Sequence, residues 1–538
     1  MRLLNKIFYC LSFGCLLFIA CEDEKKPTYL KPAVSVNEAS EVTRTTALLT
    51  GEIETVGEGV VTSLQFRYGL SAEMENKAIC DPSQHSPSTV LTDLLPNTTY
   101  YYCLEAGNEY SFVQSNRLNF TTQPNQVPVI EDLQMINQGP LSITLQYELV
   151  DDGGESVTSA GFYYWTENGE EKQWIVPSTK NALIRARISG LRPQTSYTVQ
   201  AYATNSIGET RSEVFSFHTG QAVIITAPGT LPEAVDDDEK YLYTTLSIAG
   251  PLNGTDIRFI REMLGKEVNG KETPGRISVL DLTDAVICSG GTSYDGMRFT
   301  TENVISYGMF ANCTYLQKLT LPDNILEIEE NAFKNCTELT SLPIPSATTR
   351  VMPSYGCAQL TSIEVSPTNN TFCSIDGILY NKECNQLFWF PEGKENIQSF
   401  PTTLESIEEY AFRNCRMKQI QLPSTIKEIE KGAFYAARLE TVILPELMEQ
   451  VTNGLFQECR QLISVTLGNR INYLSGYCFD NCPLQHLYVT TKDMPPMCQE
   501  TTFTEELLKT CTLHVPHGCL SIYRNSTYWG KFQKIVEE

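Results

Sequence analysis

From residue 308 onward, apolar positions follow two spacings in turn. A short block centred on a phenylalanine, "NAFKNCTELTSL" from Asn331, runs into a stretch in which every second residue is apolar. The block returns as "GMFANCTYLQKL" from Gly308, "YAFRNCRMKQI" from Tyr410, "GAFYAARLETV" from Gly432, "GLFQECRQLISV" from Gly454 and "YCFDNCPLQHL" from Tyr477. Its phenylalanines are Phe310, Phe333, Phe412, Phe434, Phe456 and Phe479, with close spacings of 22 or 23 residues. A period of this length predicts a solenoid, because a unit so small cannot bury its own apolar face and must stack on its neighbours.

The alternating stretch, L-x-x-I-x-L-P in the runs from Leu316, Leu339 and Leu439, predicts one strand per turn. "LTSIEV" from Leu360 adds a strand whose preceding turn lacks the phenylalanine. Residues between the inward ones face water. Stacking turns them into rows on one broad sheet: Lys318 and Thr320, Ser362 and Glu364, Gln419 and Gln421, Thr441 and Ile443, Ser464 and Thr466, then His486 and Tyr488. These rows are the candidate ligand-binding surface, with a simply solvated face as the alternative.

Upstream, alternation of period two dominates. "SLQFRYG" and "TTYYYCLEA" in residues 30–123, and "AGFYYWT" and "SYTVQAYATN" in residues 124–220, lie between turns rich in Gly, Asn, Pro and Asp and predict two β-sandwiches. "LLPNTTY" (94–100) is echoed by "GLRPQTSY" (190–197), and the endings "FTTQP" and "FHTG" also recur. The two stretches resemble fibronectin type III domains, in which Tyr100 and Tyr197 would be the corner tyrosines that clamp the preceding loop. A spacer role, holding the next domain away from the membrane, is the reading, with direct ligand binding as the alternative.

The repeats resemble the BspA-like leucine-rich repeats, with a consensus of I-x-x-x-A-F-x-x-C-x-x-L-x-x-I-x-L-P, over residues 221–538. "SIDGILYNKECNQLFWFPEGK" (374–394) is similar to a hairpin insertion of that family, turning at Asp376 and Gly377. "LHVPHGCLSIYRNSTYWGKFQKIVEE" resembles its closing segment, in which Trp529 and Phe532 would cover the last repeat. At the other end, "LNGTDIRFIREMLGK" predicts a helix after a Thr-Asp start with Ile257, Ile260 and Leu264 on one face, and "ISVLDLTDAVI" a strand, together an N-terminal cap.

The first twenty residues place Arg2 and Lys6 before an apolar run, Ile7 to Ala20, too short for the ~20 residues of a spanning helix. They read as an export signal. "FIAC" resembles a bacterial lipobox, with Phe18 where Leu is usual, which implies lipidation of Cys21 and a tether over residues 21–29. "EDEKK" after Cys21 is similar to acidic tags that direct lipoproteins of some Gram-negative anaerobes to the cell surface; a solvated tether is the plainer reading.

Charge and chemistry narrow the function. The net charge of -24, from 64 acidic and 40 basic residues with no basic patch, argues against nucleic acid. Of the 18 cysteines, Cys313, Cys336, Cys415, Cys459 and Cys482 share one position of the repeat and would point the same way, a column of buried thiols rather than disulfides. Cys80 and Cys103 stand apart in the first sandwich, and their pairing is left open. Five histidines leave little material for acid–base catalysis. "GGTSYDG" (290–296) has Asp295 where a nucleophile elbow needs glycine and reads as a loop. "CTLHVPHGC" offers Cys511, His514, His517 and Cys519 as metal ligands, but strand alternation sends Cys511 and His514 to opposite faces. "VDDDEK" (235–240) and "DDGGE" (151–155) fit no calcium loop and read as charged turns.

The expectation is therefore a mostly β chain, two immunoglobulin-like (fibronectin type III) sandwiches followed by a leucine-rich-repeat solenoid. No catalytic residue, cofactor or metal is assigned. The resemblance implies a lipid-anchored protein of a Gram-negative outer membrane or cell surface that recognises a host or microbial protein or glycan. The alternative is an accessory glycan-binding lipoprotein of polysaccharide capture. An enzyme ranks third, since paired carboxylates need no fixed spacing in sequence.

Overall fold

The computed structural model describes residues 30–177 and 182–538, so the signal segment, Cys21 and the tether lie outside the described residues. Mostly β, it holds two antiparallel sandwiches and then a solenoid of short parallel strands. No helix among the described residues is long and apolar enough to cross a membrane. By compactness the chain falls into two units. One runs to Ile130 and includes Leu149–Ala160 and Tyr202–Arg211; the other comprises Glu131–Glu148, Gly161–Ala201 and Ser212–Glu538.

In the first sandwich, Ala33–Val36, Ala47–Thr55 and Ser88–Leu91 form one sheet. Asn76–Ile79, Ser63–Gly69, Thr99–Gly107 and Phe112–Gln114, joined by Leu118–Thr121, form the other. Alternate residues of both, among them Leu49, Ile53, Phe66, Tyr102 and Leu104, fill the core. The second sandwich repeats the plan: Val129–Gln138, Ser142–Asp151 and Leu183–Ser189 in one sheet, and a five-stranded sheet around Ser159–Trp165 and Ser196–Thr204.

Both corner tyrosines do as expected. The Tyr100 hydroxyl accepts the Leu95 amide at 2.9 Å, and the Tyr197 hydroxyl accepts the Arg192 amide at 3.0 Å. The recurring endings belong to the same device: Thr122 and Thr219 donate to the carbonyls of Leu95 and Arg192, each at 2.6 Å, and accept the amides of Thr98 and Thr195, each at 2.9 Å. Cys80 and Cys103 are free, buried thiols.

A parallel sheet of Val223–Ile224, Thr245–Leu252, Val279–Ile287 and Lys318–Thr320 opens the solenoid. Its helix, Gly254–Met263, starts earlier than the Thr-Asp pair suggested. Asn253 is the N-cap, accepting the Thr255 amide, while Asp256 reaches back to the Asn253 amide. That reciprocal capping box satisfies two amides that the helix itself leaves open, which is why it fixes the start. Ile257, Ile260 and Leu264 are fully buried as expected.

In the repeats, the phenylalanines form a stack through the core. Ring centroids lie 5.8 Å apart for Phe310 and Phe333, 5.1 Å for Phe412 and Phe434, 5.6 Å for Phe434 and Phe456, and 6.0 Å for Phe456 and Phe479. Two members escaped the sequence pattern: Phe390 precedes Phe412 at 4.9 Å, and Phe503 follows Phe479 at 6.3 Å. It is Phe503 that Trp529 and Phe532 cover, at 5.1 and 5.0 Å. In the turn without a phenylalanine, Ser354 stands in its place, and its hydroxyl accepts the Phe333 amide at 3.1 Å. Elsewhere that amide bonds to a carbonyl of the next turn, as Phe412 does to Ala433 and Phe434 to Leu455.

The cysteine column exists and is wider than the alignment. Cys313, Cys336, Cys415 and Cys459 are fully buried, Cys357 joins them, and Cys482 is half-buried. The thiols of Cys336, Cys357, Cys459 and Cys482 donate to the carbonyls of Phe310, Phe333, Phe434 and Phe456 of the preceding turns. Burial pushes the Cys313 thiol up to about 11 and that of Cys415 up to about 12, so these sulfurs stay protonated and inert.

The recurrent Asn and Gly of the motif have a backbone cause. In all six aligned turns, the residues two before and two after the phenylalanine have positive φ, from Gly308 and Asn312 to Tyr477 and Asn481. Gly or Asn occupies eight of these twelve positions, the types that enter this region at least cost. Gly432 also has no room for a side chain, since a Cβ there would lie 2.5 Å from the Tyr410 ring. Ala436 and Glu458 carry the strain without such help, at φ 54° and 63°.

A second ladder of two-residue strands, including Val304–Ile305, Glu327–Ile328 and Arg350–Val351, and later Gln450–Val451 and Tyr473–Leu474, runs along another side of the solenoid. The sequence reading did not foresee it, because two residues carry no period.

Two substitutions test this packing. Phe412→Ala removes a ring stacked on both sides and should cost about 3–5 kcal/mol, read as a lower Tm. Ala436→Asn should instead raise stability by about 1 kcal/mol by relieving positive-φ strain, read as a higher denaturant midpoint.

Candidate recognition surface

Parallel pairing fixes the outer rows. Across Thr441–Ile443, Ser464–Thr466, His486–Tyr488, Thr512–Val515 and Lys534–Glu537, one row reads Thr441, Ser464, His486, Thr512, Lys534. The neighbouring row reads Ile443, Thr466, Tyr488, His514, Val536. At the other end, Lys318 and Thr320 pair with Val279 and Asp281, and Ser362 and Glu364 with Ser341 and Pro343. All the outward residues named from sequence are exposed or half-buried. His514, in the closing segment outside the repeat pattern, belongs to the same rows, as do Ser341 and Pro343, which the sequence rows omit although the run from Leu339 carries the full pattern.

The face is not one continuous sheet. Gln419 and Gln421 make a single bridge, Gln419 to Thr441, rather than a strand. The cause is the hairpin insertion, Phe372–Ile375 and Ile378–Asn381, which turns at Asp376 (φ 52°) and Gly377 (φ 73°) as expected. Its Gly377 carbonyl accepts the Ile363 amide at 2.8 Å, and Ser374 donates to the Ile363 carbonyl. The edge of Ser362–Val365 on which the next strand would pair is thus taken. Beyond it lies an open groove of about 1060 Å³, bordered by Gln419, Gln421, Thr441 and Ile443 on one side and by Gln398 and Phe400 on another. Ile443 is 69% exposed there, an apolar side chain in a row that is otherwise mostly polar.

The far end of the rows is aromatic. Tyr488 stacks on His514 at 4.1 Å between centroids, with His486 beside both at 6.2 and 5.2 Å. His514 Nδ1 lies 2.6 Å from Glu538 Oε1, and its Nε2 lies 2.9 Å from His486 Nδ1. The carboxylate can only accept, so His514 donates to it through Nδ1. This chain holds the rings in one orientation beside a pocket of about 370 Å³ lined by Thr466, Tyr488, Lys492, His514 and Glu538.

The other sequence candidates do not converge. Cys511, Leu513 and Val515 point into the core while His514 faces Glu538, so Cys511 and His514 lie on opposite faces of one strand. "GGTSYDG" is an irregular loop in which Asp295 accepts the amides of Met297 and Arg298. In the acidic turns, Asp151 accepts the Gly153 amide, and Asp236 the Asp238 amide, as charged turns do.

Among solved structures, the pneumococcal vaccine antigen PcpA is 17% identical, covering 60% of this chain and 84% of that one at a TM-score of 0.37. A leucine-rich cell surface protein from Faecalibacterium prausnitzii A2-165 is 18% identical, covering 62% and 96% at a TM-score of 0.35. The FN1–FN3 domains of chicken CNTN1 are 17% identical, covering 36% and 69% at a TM-score of 0.17. None of these distant likenesses bears on what the chain binds. The family model for the BspA type leucine rich repeat region matches residues 298–387 and 385–505, in six copies. The phenylalanine stack, the thiol column and the parallel outer strands are its physical content here, and residues 298–505 are a BspA-type leucine-rich repeat region.

Proposed function

We propose that this chain is a noncatalytic recognition protein of a bacterial cell surface. It would be held by a lipid on Cys21 in a Gram-negative outer membrane and spaced outward by sandwiches divided near residues 123 and 220. The solenoid from 221 onward would bind host or microbial surface macromolecules through its outer rows. The observation that carries the reading is the open groove at the break in those rows, where Gln419, Gln421 and Thr441 offer hydrogen bonds beside the exposed Ile443. At about 1060 Å³ and open to solvent, it exceeds the ~300–1,000 Å³ of ordinary small-molecule pockets and suits an extended segment of a larger partner. Lys318, Thr320, Ser362, Glu364, Ser464 and Thr466 extend the surface to either side.

A second reading, accessory glycan binding in polysaccharide capture, draws on the aromatic end. The Tyr488 and His514 rings, with Thr466, Lys492 and Glu538 around one pocket, combine an apolar face with hydroxyl-binding groups.

The purified chain, lacking residues 1–20, is tested against host matrix glycoproteins and polysaccharides. Saturable binding to a glycoprotein, lowered at least tenfold by Thr441→Arg with Tm unchanged, is the expected result. Binding to polysaccharide alone, lost in Tyr488→Ala, would transfer the protein to the second reading, and silence across the panel would overturn both. Lipidation carries its own test: Cys21→Ala should move the protein from the membrane fraction to the soluble one, and retention of the variant would refute the anchor.

A further inference from the structure

Two of the cysteines outside the buried column face each other. Cys373 lies on the first strand of the hairpin insertion, Phe372–Ile375, and Cys384 in the turn that follows its second strand, Ile378–Asn381. Their sulfurs are 3.0 Å apart and both residues are half-buried. Four of the column thiols, those of Cys336, Cys357, Cys459 and Cys482, donate to backbone carbonyls of the preceding turn. Here the sulfur of each residue has the other sulfur as a close neighbour.

The surroundings hold the pair together. Cys384 has positive φ, 57°, and its amide donates to the Asn381 carbonyl at 3.0 Å, closing a tight turn. Asn381 pins the same turn with its side chain, accepting the amides of Asn385 and Gln386, both at 3.0 Å. Cys373 donates to the Asn381 carbonyl at 3.1 Å, so both sulfurs are directed to one end of the hairpin. Going from contact to a bond of about 2.04 Å asks for a movement of ~1 Å, within the reach of a side-chain rotation.

We propose that Cys373 and Cys384 are a disulfide-forming pair, a redox clip that ties the first strand of the hairpin to the turn leaving it. The oxidant is an external disulfide, RSSR. The Cys384 thiolate attacks one of its sulfurs, forms a mixed disulfide and releases RS⁻. Cys373 then gives up its proton to water and attacks Cys384 Sγ, expelling the second RS⁻. Two protein thiols become one disulfide, and RSSR becomes two RSH. Cys384 leads because burial, with Cys384 alongside, pushes the Cys373 thiol up to about 12, leaving it a poor first nucleophile.

The clip has a structural target. Phe372, Asn381, Glu383 and Gln386 from this hairpin form one wall of a groove of about 620 Å³, facing Arg350 and Glu408. Closing the bond shortens the free chain of that wall and removes conformations from the unfolded state, so the oxidised hairpin is the stiffer one. An oxidising compartment, which export would supply, is where the bond persists.

The test uses the native full-length chain and needs neither its ligand nor its export. The protein is equilibrated with glutathione disulfide, alkylated, digested without reduction and mapped by mass spectrometry. Expected is a linked Cys373–Cys384 peptide, lighter by two hydrogens, as the main product, and a Tm that falls on reduction. The double variant Cys373→Ser with Cys384→Ser should lose that fall, and Cys373→Ser alone should trap Cys384 as a glutathione adduct. Recovery of both cysteines as free thiols or separate adducts, linkage of either to another cysteine, or an equal fall of Tm in the double variant would overturn the clip.

Discussion

Each turn of the solenoid has its backbone only half satisfied until the next turn arrives. The amide of Phe412 finds its acceptor on Ala433 and that of Phe434 on Leu455, just as the ring of each phenylalanine finds its neighbour one turn on. Hydrogen bonding and apolar burial thus demand the same thing, an adjacent copy in register. The caps follow from this: the helix Gly254–Met263 closes one end of the stack, and Trp529 and Phe532 close the other over Phe503. So do the thiols, small enough to sit between turns and polar enough to donate across them.

The same constraint shows what an interruption must supply. Where the phenylalanine is missing, Ser354 provides an acceptor for Phe333 in place of a carbonyl. The buried Glu392 accepts from Gly356 and from Asn414, joining the turns on either side of the insertion. The hairpin meanwhile takes the edge of Ser362–Val365 and ends the sheet there. The stack survives an insertion of this size because the insertion meets its hydrogen bonds one by one, and the price is a break in the outer face.

That break is also where the surface departs from a plain solvated wall. Regular rows of small polar residues offer a flat face of little character. The groove beside Gln419 and Ile443 and the ring cluster around Tyr488 and His514 are the places where shape and chemistry become particular. Both sit where the repeat fails, at the insertion and at the closing segment.

The repeat period, the two sandwiches, the corner tyrosines, the thiol column and the hairpin turn were legible in the sequence, because each rests on local spacing or on a residue type with one conformational use. Asn and Gly flank the phenylalanines because the backbone needs positive φ at those positions, and that need is written into the chain. What the sequence could not decide was everything set by contacts between distant residues. Phe390 and Phe503 join the stack without the motif. His514 comes to lie against Tyr488, and Cys373 against Cys384, only because parallel pairing and a hairpin bring them together. Periodicity fixes which way a side chain points; only the packed chain decides what it meets.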